Sequence, residues 1–69
     1  MSDWKPPRRV YFKKQTLSQW RVTDSDGMRH VTADKAFAMM QELVEDGWKL
    51  KIHESIVGHV LAVDMTEPE

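Results

Sequence analysis

Apolar residues fall into helical register in one stretch only, Thr32-Ala-Asp-Lys-Ala-Phe-Ala-Met-Met-Gln-Glu-Leu-Val-Glu-Asp-Gly47. There Ala33, Ala36, Phe37, Met40, Leu43 and Val44 recur at the i, i+3, i+4, i+7 spacing of one stripe, while Asp34, Lys35, Gln41, Glu42 and Glu45 fall opposite. The pattern predicts one amphipathic helix, with Phe37 and Leu43 at its contact with the rest of the core. The Thr32 hydroxyl is placed to cap the start, Asp34 adds a carboxylate to the first turn, and Gly47 suits the left-handed backbone that ends a helix.

The flanking segments alternate instead. Residues 9–14 put Val10 and Phe12 on one face and Arg9, Tyr11 and Lys13 on the other. Residues 17–23 and 28–31 form a hairpin around Asp24-Ser-Asp-Gly27, where acids can close the turn and Gly27 can take positive φ. Trp20 and Val22 then point inward, leaving Gln19, Arg21 and Thr23 outward. After the helix, Trp48-Lys-Leu-Lys-Ile-His53 predicts a strand with Trp48, Leu50 and Ile52 inward and Lys49, Lys51 and His53 outward. A fifth strand runs from Val57 or His59 to Met65; its run Val60-Leu61-Ala62-Val63 fits a covered position in mid-sheet better than an edge. The expected fold is α+β in the order βββαββ: an antiparallel sheet of four to five strands covered by one helix.

Residues 1–8 read as an extended tail, since Pro6 and Pro7 donate no backbone hydrogen bonds, and residues 9–66 as a single domain. At 69 residues the chain has room for one core and buries only about 60% of its unfolded surface, so modest stability is expected. The absence of cysteine removes disulfides, thiolate metal ligands and a cysteine nucleophile. The longest apolar run is far short of the roughly 20 residues that span a bilayer, and the N-terminus is charged and Pro-rich. A soluble cytoplasmic protein is the expectation.

The net charge of −1 hides an asymmetry: residues 1–22 carry six Lys/Arg and one acid, residues 23–69 four and ten. On the predicted strands, Tyr11, Lys13, Arg21, Arg29, Lys49, Lys51 and His53 gather on the outward sheet face. Single-stranded nucleic-acid binders use such a face, with cations on phosphates and rings on bases. A plain solvated face protected by Lys and Arg is the competing reading. Glu42, Glu45 and Asp46 crowd the last helical turn, against the helix dipole, as expected either of a patch kept for a basic partner or of acids absorbed by nearby Lys49 and Lys51. Trp4, Arg8 and Arg9 add an aromatic and two cations from the tail; Trp4 either folds back on the domain or anchors a partner.

Of the histidines, His53 and His59 could meet across the last hairpin beside Glu54, but none of the three has a metal-site or catalytic spacing. Phosphate loops and nucleophile elbows are absent from the sequence. The expectation is therefore no enzyme, no cofactor, no metal and no small-molecule substrate. The hairpin-helix-strand order around residues 19–53 resembles several small phage proteins, among them a phage inhibitor of bacterial RNA polymerase. The helix running into Gly47-Trp48-Lys49-Leu50 is similar to a family of uncharacterised bacterial proteins with a Gly-Trp-x-Leu signature. The likeness covers about half the chain and carries over no functional residue. The expected function is a small interaction protein that binds, and regulates or inhibits, a protein partner through charged surfaces, a phage-type inhibitor of a host protein being one form of it. A nucleic-acid-binding module is the alternative.

Overall fold

The structure, a computed structural model, describes residues 7–68. The order is β1 (Arg9–Lys14), β2 (Gln19–Asp24), β3 (Gly27–Thr32), α1 (Ala33–Glu45), β4 (Lys49–Ile56) and β5 (His59–Thr66). The five strands form one antiparallel sheet in the order β3-β2-β1-β5-β4, which is the expected α+β arrangement with β5 in the interior.

Local chemistry marks the helix ends. The Thr32 side chain accepts from the Lys35 amide at 3.2 Å, and the Ala33 amide donates to the Ser18 carbonyl at 2.9 Å, tying the helix start to the β1–β2 loop. At the other end Gly47, at φ +91°, donates to the Val44 carbonyl at 3.0 Å, and Trp48 reaches back to the Leu43 carbonyl at 2.9 Å. These are the two bonds of a Schellman motif, and its usual apolar contact is available because Leu43 and Trp48 both pack on the core.

The core consists of Phe12, Trp20, Val22, Ala36, Met40, Val63 and Met65. Cross-strand register lines up Val22, Phe12 and Val63 on the helix side of the sheet. The helix stripe is rotated from the one expected: Ala36 and Met40 are buried and Met39 packs beside them, whereas Phe37 is 52% exposed and Val44 about half exposed. Phe37 still touches the core edge-on, its ring centroid 5.5 Å from that of Trp20. The reason is placement. The helix lies over β2 and β3, so its far flank, and Leu50 and Ile52 on the helix side of β4, are only partly covered. Leu50 and Ile52 were expected inward; they occupy the inward face but are about half exposed.

Candidate functional site: the outer sheet face

Residues directly opposed in antiparallel strands project to the same face. One outward row reads Lys51, Asp64, Tyr11, Thr23 and Met28; a second brings Ala62, Lys13, Arg21 and His30 into line; a third joins Lys49, Thr66 and Arg9. His53 follows inward-facing Ile52 and so projects to the same face by alternation, at the irregular register between Ile52 and Glu54. Its ring meets Tyr11 edge-on, centroids 5.7 Å apart and planes at 81°. Tyr11, Lys13, Arg21, Lys49, Lys51 and His53 therefore share one surface, on the side of the sheet away from α1.

Arg29 does not join them. The turn at Ser25 and Asp26 is two residues long and opposes Arg29 to Val22, which puts it on the helix side with Val31. There its guanidinium donates to the Asp24 carboxylate at 3.1 Å, and Met28 and His30 take the outward positions of β3. Asp24 also accepts from the Asp26 amide at 2.9 Å. That amide first, and Arg29 after it, hold the Asp24 carboxyl below its ordinary range.

Arg8 and Arg9 are engaged within the chain. Arg8 donates to Glu67 at 2.9 Å and stacks 5.9 Å over the Trp48 ring; its donated hydrogen bond is the main cause of a lowered Glu67 pKa. Arg9 pairs with Asp64, a nearly buried acid at the centre of the outer face. Arg21 keeps its Nε buried with no hydrogen-bond partner among the described residues. With Asp64 and Glu54 set against Arg9, Lys13, Arg21, Lys49 and Lys51, the face carries a net +3.

No protein-family model, curated protein or solved structure matches this chain. Its own geometry is thus what bears on function.

The acids Glu42, Glu45 and Asp46 stand at the end of α1, all exposed, and take part in none of the three ion pairs among the described residues, Arg8–Glu67, Arg9–Asp64 and Arg29–Asp24. Trp4 lies outside the described residues. His53 and His59 part company, since His59 opposes Ile56 while His53 sits at the register shift beside Tyr11. Among the described residues no group of three or more His, Asp or Glu side chains converges as a metal site would require, and no helix is long and apolar enough to cross a membrane. Sequence reasoning overlooked Asp64 as part of this face; the signal was a single acid inside an otherwise apolar strand, which must find a cation if it is buried.

Proposed function

We propose that this chain is a non-enzymatic binding protein that docks a macromolecular partner, in the first instance an acidic protein surface, on its outer sheet face and thereby regulates or inhibits it. The observation that carries this reading is the co-location of Lys13, Arg21, Lys49 and Lys51 around the Tyr11–His53 pair on the side of the sheet opposite α1. Three strands of one sheet, β1, β2 and β4, hold these cations at fixed spacing, and the acidic end of α1 sets an opposite charge elsewhere, so the molecule would orient as it approaches an anionic surface.

A second reading has its own support. An aromatic pair amid cations is what a single-stranded nucleic acid would use for stacking, with the lysines on its phosphates. Crosslinked capture from extracts of the source cells, comparing the wild type with Lys49→Glu/Lys51→Glu at low and high salt, tests the first reading. The partner should be lost from the double variant, and wild-type capture should weaken as salt screens the charges. Equal capture by both proteins at low salt would refute the basic face. Titration of short single-stranded DNA and RNA decides the second reading, which requires tight binding with a steep salt slope and its loss in Tyr11→Ala.

A further inference from the structure

At the opposite end of the sheet from Arg9 and Thr66, the β4–β5 connection places Val57 at φ +47° with its side chain 91% exposed. Both properties are unfavourable for the isolated chain. A β-branched residue in left-handed backbone is strained, and two-residue turns with positive φ at both positions, here Val57 and Gly58 (φ +77°), favour Asn-Gly. Ile56 beside it is also exposed. A cleft of about 330 Å³ adjoins this tip, walled by Leu17, Trp20, Ala33, Phe37 and Val60, with Gly58 and His59 on its rim and Lys14 its one charged residue other than histidine. Leu17 is 88% exposed.

We propose that this end of the molecule is a self-association surface, in which the Ile56-Val57 tip of one copy enters the Leu17–Phe37 cleft of a second copy and the exchange is reciprocal. An apolar knob one residue from the rim of an apolar hole forms a patch that complements itself about a two-fold axis. The occupant is a second copy rather than a charged partner because no Lys, Arg, Asp or Glu occurs from Ser55 to Val63, so two such hairpins meet without like-charge repulsion. Leu17, Phe37, Ile56 and Val57 together expose roughly 300–400 Å² of apolar side chain per copy. That supplies the apolar centre of an interface but not the roughly 800 Å² per partner of a standard one, so the dimer is weak.

Sedimentation equilibrium of the full chain from about 1 to 500 μM tests this, with Val57→Asn in the knob and Leu17→Ser in the hole. The wild type should pass from monomer to dimer over this range. Each substitution should weaken association at least tenfold, and Val57→Asn should at the same time raise the melting temperature by relieving the turn. Leu17→Ser lies in an exposed loop and remains informative if the turn variant misfolds. A wild type that stays monomeric throughout overturns the proposal, and binding of that monomer to neutral phosphatidylcholine vesicles through Val57 would assign the tip to lipid instead. A dimer that both variants leave intact overturns it equally, because association would then use another surface.

Discussion

Rotation of the helix stripe has a measurable consequence in the comparison of Met40→Ala with Phe37→Ala. Both side chains lie on the apolar stripe, and at full burial a Phe truncation costs about 3–5 kcal/mol and a Met truncation about 2–5. Met40 is only 7% exposed and belongs to the buried cluster, so Met40→Ala should cost close to its full value, about 3 kcal/mol. Phe37 is 52% exposed and keeps one edge-on contact with Trp20, so about half its value applies, roughly 2 kcal/mol or less. For a chain of this size total stability is of the order of 3–10 kcal/mol, and 1 kcal/mol moves the midpoint by about 4–8 °C. Met40→Ala should therefore lower the midpoint by about 12–24 °C, and Phe37→Ala by no more than about 8–16 °C. Urea unfolding followed by Trp fluorescence, at a protein concentration low enough to keep the chain monomeric, gives both values. If Phe37→Ala proves as costly as Met40→Ala, the helix is rolled toward β4 and Phe37 is a core residue after all.

Three further outcomes are expected. Asp24 has a lowered pKa in the folded chain, so its charge contributes stability above its unfolded value and that contribution disappears as pH falls through the folded value; the melting-temperature gap between wild type and Asp24→Asn should be widest near neutrality and close below about pH 4. Glu45→Lys/Asp46→Asn should raise the melting temperature, because no ion pair among the described residues holds these acids and each opposes the helix dipole by about 0.3–1 kcal/mol; a lower midpoint would mean that they are paired. Gly47→Ala should cost about 1–2 kcal/mol through its φ of +91°, since an added Cβ would meet only Pro68 at 3.8 Å, an ordinary contact; a neutral result in thermal melts would show that the helix end readjusts freely.

Much of this architecture was legible because its signals are local. The Thr32 cap, the Gly47 stop, the Asp24-Ser-Asp-Gly27 turn and the alternation of Arg9 to Lys14 each depend on neighbours within a few residues. What escaped was set by distant contacts. Period-two alternation says that Leu50 and Ile52 share a face, but only the docking of α1 over β2 and β3 decides that the face is half open there. Arg29 was misplaced because its side follows from the length of the turn, which opposes it to Val22 and brings it to Asp24. At the tip, Val57 could be read as the first residue of a strand, and nothing in a β-branched residue announces positive φ, so the left-handed Val57 carried no signal. The outer face was recognised in its cations and missed in Asp64, whose partner Arg9 is 55 positions away along the chain.

The sheet is two locally built pieces, β1-β2-β3-α1 and β4-β5, joined along the β1–β5 ladder, where Arg9 opposes Thr66 and Lys13 opposes Ala62. The first residue of β1 and the last of β5 thus face each other at one end of the seam. Force applied by drawing the two ends of the chain apart would load the ladder's hydrogen bonds one pair after another, starting at Arg9 and Thr66, because antiparallel bonds lie across the strands. The seam would peel like a zip rather than shear as a unit. A protease or translocase pulling from either end would accordingly meet little mechanical resistance, whatever the equilibrium stability of the fold.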